Sequence, residues 1–395
     1  MTQVNQLTRR CGALFRSLDM PRLFFLAIIR ETTGSASCPS AHAAPTIAGH
    51  IRSVAKLDEV KVKDKVNHYH LLIFSRDMTR SIARQTAGMR LTRSSRKHGR
   101  STVLCRFPDV IEQSFKPEMK KVRLPFGDFV PALGQGTWHM GETPSLRAQE
   151  IATLRAGLDL GLSLIDTAEM YGEGRSESLV GEAIAGRRDE VFLVTKVYPH
   201  NASRLAMQTA CANSLRRLKT DRIDLYLLHW SGSVPLAETV DAFARLQQAG
   251  QIRSWGVSNL DTTGMEELEA LPGGREVQTN QVLYNLARRG IEWDLLPWLR
   301  ERHVPLMAYS PIEQGRLPRD RKLVDFAKRH RMTAAQAALG WLLAKDDVIA
   351  IPKTSSQARL AENLHALTHP LDVAALAELD RLFPPPKGPV PLEML

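Results

Sequence analysis

Four polar residues stand near the ends of short apolar runs and combine groups that can move a proton. Asp166 ends "LSLID" and Tyr171 follows within "LIDTAEMYGEG", while Lys196 ends "VFLVTK" and His229 ends "IDLYLLH". A carboxylate can orient an ammonium, and a nearby ammonium favours an ionised phenol, so Asp166 and Lys196 are expected to lower the pKa of Tyr171. His229 could donate a hydrogen bond to a substrate oxygen. Such a set of groups suits a carbonyl that gains negative charge as it reacts.

These side chains can meet only if the apolar runs are neighbouring strands. From Val122 onward, short β-rich runs alternate with amphipathic helical stretches, a pattern typical of parallel strands joined by crossover helices. A hairpin is predicted to turn at Gly127-Asp128. Eight strands are predicted after it, at "ALGQG", "LSLID", "VFLVTK", "IDLYLLH", "IRSWGVSN", "TNQVLYN", "VPLMAYS" and "VIAIPK".

Eight such units predict an α/β fold, a (β/α)8 TIM barrel with an N-terminal β-hairpin. In such barrels the active site lies at the carboxyl ends of the strands, so polar residues should collect there. They do, at Asp166, Lys196, His229, Ser258, Asn259, Gln281, Asn285, Tyr309 and Lys353. A barrel built only for stability has no need of this ring.

The net charge of +11 is confined to the first part of the chain. Residues 1–118 hold 20 Lys and Arg against 9 Asp and Glu, whereas residues 119–395 hold 33 of each. A basic balance indicates nucleic-acid or membrane partners only where it lies on the working domain. We therefore expect neither partner. Apart from this charge balance, we expect a monomer that acts on a small carbonyl compound.

Residues 1–118 are predicted to be a basic leader with little order, because "RSIARQTAGMRLTRSSRKHGRS" has no core pattern. The apolar run "LFFLAII" is far too short to span a bilayer. It could belong to a targeting signal, although Arg30 and Glu31 interrupt that pattern. The favoured alternative is that translation begins at Met119, with residues 119–395 as the catalytic domain.

The cysteines indicate neither disulfides nor a metal. Cys11, Cys38 and Cys105 lie in the leader, and Cys211 is alone in the rest of the chain, in an amphipathic stretch where it is expected to be buried. No metal-ligand spacing is present, so we expect no metal site and a reducing cytoplasm.

Seven segments, in order, resemble the aldo-keto reductase family. They are "LIDTAEMYGEG", "VFLVTK", "DLYLLHW", "WGVSN", "TNQVLYN", "AYSP" and "IPKTSSQARLAENL". The resemblance covers essentially Met119 to Leu395. It is greatest to small bacterial members that reduce methylglyoxal and other 2-oxoaldehydes, notably in "GQGTWHMGE" and "LLHWSGSVP".

This resemblance implies NADPH-dependent reduction of small aldehydes and ketones by a tetrad of Asp166, Tyr171, Lys196 and His229. Tyr171 would be the general acid, and His229 would orient the carbonyl. The resemblance also implies a set of cofactor-binding residues, namely Gly136, Thr137, Ser258, Asn259, Gln281, Tyr309, Ser310, Lys353, Thr354, Arg359, Glu362 and Asn363. Trp138 and Trp230 would line the substrate pocket.

Within that cofactor set, Ser258, Asn259 and Gln281 would hold the carboxamide and Tyr309 would stack on the nicotinamide. Gly136 and Thr137 would line the ribose side. Lys353 and Arg359 would bind the 2'-phosphate beside a helix N-terminus, with Glu362 and Asn363 near the adenine. Two cations favour NADP over NAD.

Other interpretations stay open at this point. Lys196 could be a Schiff-base nucleophile in an aldolase-type barrel, although a charge-paired lysine is a poor nucleophile. The chain could instead be a regulatory subunit that senses NADPH. Ser258, Asn259 and Gln281 could simply satisfy backbone groups, and Lys353 and Arg359 could be solvated. "GEGRSE" lacks the third glycine and the setting of a dinucleotide loop, so it is interpreted as a turn.

Overall fold

The structure is a computed structural model, and it describes residues 119–395 together with three strands of the preceding segment. The chain divides into two units, Met1–Phe115 and Lys116–Leu395. The three early strands are β1 (Leu23–Arg30), β2 (Glu59–Lys63) and β3 (His68–Ser75). They form an antiparallel sheet in the order β1-β3-β2, and the apolar run of the leader lies in β1. The stretch Arg80 to Ser101, for which the sequence predicts disorder, lies outside the described residues.

A hairpin opens the second unit, as predicted. Strands β4 (Lys121–Arg123) and β5 (Phe129–Pro131) pair antiparallel. The Leu124 amide donates to the Asp128 carbonyl at 2.8 Å, and Gly127 has a φ of 104°. Glycine suits this position because the turn requires a positive φ, which a residue with a side chain adopts only at a steric cost.

Eight parallel strands form the predicted barrel. They are β6 (Gln135–Gly136), β7 (Leu164–Asp166), β8 (Phe192–Val197), β9 (Ile223–Leu228), β10 (Ile252–Ser258), β11 (Asn280–Leu283), β12 (Leu306–Tyr309) and β13 (Val348–Ala350). Each strand pairs with the next along the chain. Parallel bridges Leu133–Ala350 and Gly136–Lys353 join the first strand to the last. The (β/α)8 fold is therefore confirmed, and the sheet is closed.

Ten α-helices within residues 119–395 pack around these strands. They are α1 (Arg147–Asp159), α2 (Arg175–Ala183), α3 (Arg204–Leu218), α4 (Leu236–Gln248), α5 (Thr262–Ala270), α6 (Leu295–Glu301), α7 (Arg321–Arg329), α8 (Ala334–Leu343), α9 (Gln357–Thr368) and α10 (Val373–Leu382). Polar side chains fix several starts: Ser203 caps α3, Asp320 caps α7, and Thr333 and Gln336 form a capping box on α8.

The core lies between the strands and their helices. Nearly every barrel-strand residue is buried, as expected where a parallel sheet is covered on both faces. Cys211 is also buried, as predicted. Across the described part of the chain, no helix combines the length and apolar character needed to cross a bilayer. No group of three or more potential metal ligands occurs there either.

Candidate active site

Lys196 is the centre of the polar ring at the carboxyl ends of the strands. It lies in β8, its side chain is fully buried, and its Nζ is 2.8 Å from each carboxylate oxygen of Asp166. The same Nζ donates to the Thr167 carbonyl at 2.8 Å and to the Tyr171 hydroxyl at 3.1 Å. The structure therefore brings three of the four predicted catalytic residues together.

Tyr171 is held over this ammonium by the turn that follows β7. The turn Tyr171–Gly174 has 3-10 character, and Gly172 and Gly174 have φ values of 56° and 84°. The glycines of "GEGRSE" thus make a turn, as interpreted from the sequence. The Tyr171 ring centroid is 4.8 Å from Lys196 Nζ, so the ammonium lies close to the phenol's face as well as its oxygen.

The protonation of Tyr171 differs from the sequence-based expectation. Burial of the site, followed by the negative charge of Asp166, raises the pKa of Tyr171 well above its usual value. The expected lowering of the pKa was wrong in direction, because it took account of the nearby ammonium but not of the loss of solvent on burial, which is the largest influence on this phenol. The phenol is consequently held in its acid form, with Lys196 placed to stabilise the oxygen when the proton leaves.

His229 follows β9 directly and completes the tetrad. Its side chain is 8% exposed, and its ring lies edge-on to that of Tyr171 with centroids 5.9 Å apart. Burial, helped by the charge of Lys196, lowers the pKa of His229 to about 2. The imidazole is therefore neutral, and one ring nitrogen carries a hydrogen that can be donated. Nδ1 is buried without a partner within the described residues.

Two predicted cofactor residues, Thr137 and Gln281, donate hydrogen bonds to Asp166. Thr137 is fully buried, and its hydroxyl donates to the Asp166 carbonyl at 2.9 Å while accepting from Ser176 at 2.9 Å. Its side chain is thus occupied, and only its backbone is left to line a ribose. Gln281 donates through Nε2 to Asp166 Oδ1 at 2.8 Å. Sequence reasoning missed this contact, because it joins residues 115 positions apart.

The remaining polar residues at this end of the barrel form a connected row. Ser258 donates to the Gln281 carbonyl at 2.7 Å, and Asn259 donates through Nδ2 to the His229 carbonyl at 3.1 Å. These contacts agree with the alternative that Ser258 and Asn259 satisfy backbone groups at the ends of strands. The Tyr309 hydroxyl donates to Asn259 Oδ1 at 3.1 Å, and the Ser310 carbonyl accepts from Asn285 at 2.9 Å.

A second cluster, from Lys353 to Arg359, follows β13 along the chain. Lys353 and Arg359 are exposed and have no ion-pair partner among residues 119–395. Ser356 caps α9 by accepting from the Arg359 amide at 3.4 Å, and Thr354 accepts from the Ser356 amide at 3.1 Å. Two unpaired cations beside a helix N-terminus are the donor set that a phosphate monoester needs. This part of the chain therefore fits a 2'-phosphate.

The flanks of that cluster are closely packed. Gly136 lies beside Lys353 in the closing bridge, and a Cβ at Gly136 would lie 2.6 Å from the Ile351 carbonyl oxygen. Glycine is thus required by the approach of the last strand to the first. Asn363 is 5% exposed in α9, and Glu362 precedes it with a partly buried side chain.

Aromatic side chains lie next to His229: the centroid of the Trp230 ring is 4.8 Å from that of the His229 ring. Trp138 and Trp230, the predicted pocket residues, are partly exposed. Sequence reasoning missed Tyr198, whose ring meets that of Trp230 edge-on with centroids 5.9 Å apart. Glu169 fixes the Tyr198 loop by accepting from the Tyr198 amide at 2.7 Å. The signal was available, because Tyr198 and Trp230 each follow a tetrad residue closely in sequence.

The C-terminal tail also reaches the barrel mouth. The Leu395 amide donates to the Tyr309 hydroxyl at 3.4 Å. Arg288 pairs with Glu393 at 2.5 Å and with the buried Glu313 at 3.0 Å, which ties the tail to the loops after β11 and β12. The proline-rich tail sequence predicts a compact segment but contains no signal for these partners.

Comparisons with known proteins agree with this geometry. The model of the aldo/keto reductase family matches residues 132–383. Methylglyoxal reductase YeaE of Escherichia coli is 52% identical over 271 residues, which cover 67% of this chain and 95% of that protein. Aldo-keto reductase YhdN of Bacillus subtilis is 39% identical over 47% of this chain and 59% of its own length.

Solved structures show the same fold. An aldo/keto reductase from Klebsiella pneumoniae, in complex with NADP and acetate, superposes with a TM-score of 0.68 at 49% identity and covers 70% of this chain and 100% of that one. A second structure of an aldo-keto reductase from that organism, in complex with NADPH, gives the same score and identity over 70% of this chain and 99% of its own.

Proposed function

Because the chain belongs to the aldo/keto reductase family, we propose that it reduces small aldehydes and ketones, 2-oxoaldehydes such as methylglyoxal among them, to alcohols. It is an NADP-dependent oxidoreductase of that family. The observation that supports this activity most strongly is the 3.1 Å contact between Lys196 Nζ and the Tyr171 hydroxyl, within a buried group that also holds Asp166.

Each residue of the tetrad has one task in this proposal. Neutral His229 donates a hydrogen bond to the carbonyl oxygen and sets its position. Tyr171 gives its proton to that oxygen as negative charge grows there, and the Lys196 ammonium stabilises the phenolate that remains. Asp166, held by Gln281 and by Thr137, keeps Lys196 oriented.

When NADPH is bound, it supplies the hydride that reduces the carbonyl carbon. Its 2'-phosphate would be held by Lys353, Arg359 and the start of α9. Its nicotinamide end would be held near the tetrad by the row of polar residues from Ser258 to Tyr309. Gln281 and Asn259 are already engaged with Asp166 and His229. The cofactor-facing roles of Gly136, Ser310, Thr354, Glu362 and Asn363 are part of the same proposal.

The proposed substrate class rests on two observations. The 52% identity to a methylglyoxal reductase favours 2-oxoaldehydes. Tyr198 and Trp230 offer aromatic faces next to His229, and we propose that Trp138 joins them around the apolar part of a small substrate. We also propose that the protein acts as a monomer in the cytoplasm.

The test is the removal of one oxygen atom. Tyr171→Phe is expected to lower kcat for methylglyoxal by about a hundredfold or more, because it deletes the general acid. The dissociation constant for NADPH, measured by quenching of tryptophan fluorescence, should change little. Unaltered turnover in this variant would refute the mechanism.

Tyr226→Phe is the matched control. Tyr226 is a fully buried tyrosine of β9 whose hydroxyl has no partner in the described part of the chain. Removing that hydroxyl leaves no broken hydrogen bond, so kcat should stay near that of the parent protein.

No observation favours the Schiff-base alternative. Lys196 donates to Asp166, Thr167 and Tyr171 and is fully buried, which keeps its amine from attacking a carbonyl. Trapping of a substrate adduct on Lys196 by borohydride, without use of NADPH, would reverse that judgement. A sensing subunit would instead bind NADPH tightly and show negligible turnover.

A further inference from the structure

Glu150 is a buried carboxylate outside the tetrad that joins two functional loops. It lies in the first turn of α1 and is 1% exposed. Its Oε2 accepts from the Gly141 amide at 2.9 Å, in the loop that carries Trp138. Its Oε1 accepts from the Ser355 hydroxyl at 3.3 Å, in the loop between Lys353 and Arg359.

The backbone of Ser355 is held by the same helix. Gln149, the residue before Glu150, donates through Nε2 to the Ser355 carbonyl at 2.6 Å. One turn further, the Gln357 side chain donates to the Ala152 carbonyl at 3.4 Å. The loop after β13 is thus docked on α1 through the hydroxyl and the carbonyl group of Ser355.

The position of Ser355 gives this docking a consequence. It stands two residues after Lys353 and immediately before Ser356, which caps α9. Anchoring Ser355 therefore fixes the exposed lysine relative to the helix N-terminus and to Arg359. A loop held in its binding conformation loses less entropy when a ligand binds, which raises affinity without any new contact.

The chemistry of Glu150 is otherwise hard to account for. Burial of a carboxylate is costly unless it is paired or hydrogen-bonded, and Glu150 has no ion-pair partner within residues 119–395. Its hydrogen bonds go to the loop that carries Trp138 and to the loop between Lys353 and Arg359. Neither contact is needed to close the barrel, which β6 and β13 close through their own backbones.

We propose that Glu150 is a positioning residue for NADPH, which holds the 2'-phosphate loop against α1 through Ser355. The inference rests on the proposed function, because it assigns the 2'-phosphate to Lys353 and Arg359. It predicts that Glu150 contributes to the preference for NADPH over NADH, although it does not touch either nucleotide.

The test is Glu150→Gln in the full-length protein, with dissociation constants for NADPH and NADH measured separately by fluorescence titration. Glutamine keeps the size of the side chain and can still reach both loops, but it replaces the charged acceptor of the Ser355 hydroxyl with a neutral amide, so the charge-assisted hydrogen bond that docks the loop is lost. Affinity for NADPH is expected to fall about fivefold, the difference between a hydrogen bond to a charged partner and one to a neutral partner. Affinity for NADH, which has no 2'-phosphate, should stay as in the parent protein.

Ser355→Ala is a second variant that leaves the buried carboxylate in place. It should weaken NADPH binding at least as much, and the double variant should be no weaker than the poorer single one, because both changes act on the same contact. The proposal would be overturned if the losses of NADPH affinity added up in the double variant, or if NADPH and NADH binding weakened equally. Glu150 would then have a structural role only.

Glu177→Gln is the matched control. Glu177 is also buried in the first turn of its helix, α2, but it binds Thr195 and Arg217 instead of a cofactor loop. This variant should lower Tm and leave the NADPH to NADH affinity ratio unchanged. If the parent protein binds neither nucleotide, the proposed function itself fails, and that outcome is distinct from an unchanged ratio in Glu150→Gln.

Discussion

The ionisation of two residues decides how the site can work. Tyr171 has its pKa raised by burial and by Asp166, and His229 has its pKa lowered to about 2 by burial and by Lys196. Desolvation dominates both shifts, and it favours the neutral form of each group. A neutral acid and a neutral hydrogen-bond donor are the forms that carbonyl reduction requires.

The pH dependence of kcat follows from these shifts. Above about pH 2 the His229 imidazole is already neutral, so kcat for reduction should show no limb near about 6.5, the usual histidine pKa. The Tyr171 proton is retained until the pH exceeds its raised pKa, so the rate of reduction should stay level between about pH 5 and pH 9. Alcohol oxidation needs the phenolate as a base and should rise with pH. Steady-state rates in both directions would check this, and a limb near 6.5 in reduction would contradict it.

Among the elements, the loop after β11 connects several parts of the barrel through one side chain, that of Arg289. Arg289 in this loop is 8% exposed and forms a two-point contact with Glu292, at 2.9 and 2.7 Å. It also donates to Asp380 in α10 at 2.8 Å and lies 4.9 Å from the Trp341 ring of α8. One guanidinium thus joins the loop to two of the last helices.

Arg289→Met should therefore destabilise the barrel. Removing one partner from a buried ionic network leaves the others uncompensated, at a cost of about 3 kcal/mol in the free energy of unfolding. All six tryptophans lie after residue 119, so tryptophan fluorescence in a urea titration reports this unit. Arg275→Met is the control: its side chain is 83% exposed and its pair with Glu269 spans 3.6 Å. A surface pair of this kind contributes less than about 1 kcal/mol, and an equal loss in both variants would argue against the network.

At the scale of the whole molecule, residues 119–395 contain every strand and helix of the barrel. The closing bridges from β6 to β13 lie within this segment, and the tail returns to Tyr309 at the barrel mouth. The charge changes at the same place in the sequence: the excess of Lys and Arg lies in residues 1–118, and residues 119–395 are formally neutral.

The segment 119–395 alone is expected to keep the kcat and the Tm of the full chain. All the groups assigned to catalysis and to NADPH lie within it, and the strands pair in a complete circle. Expression of both forms, followed by kinetics with NADPH and by thermal unfolding, would check this. A marked loss of activity or of Tm in the shorter form would show that the leader contributes to the barrel.

The sequence by itself determined the barrel and predicted the four residues proposed as its tetrad. Alternating short apolar runs and amphipathic stretches are local signals, and a polar residue at the end of a run marks the carboxyl end of a strand wherever that strand lies. Asp166, Lys196 and His229 could be predicted for that reason, and Tyr171 by its place in the loop after Asp166. Tyr198 carried the same kind of signal and was missed.

Only the tertiary structure decided what these residues do to one another. The pKa of Tyr171 rises because the closed barrel removes solvent from the site, and no local pattern measures burial. Thr137 and Gln281 support Asp166, and Glu150 reaches Ser355 across 205 positions of sequence. Such contacts exist because the last strand closes on the first, which sets side chains from opposite ends of the chain within hydrogen-bonding distance.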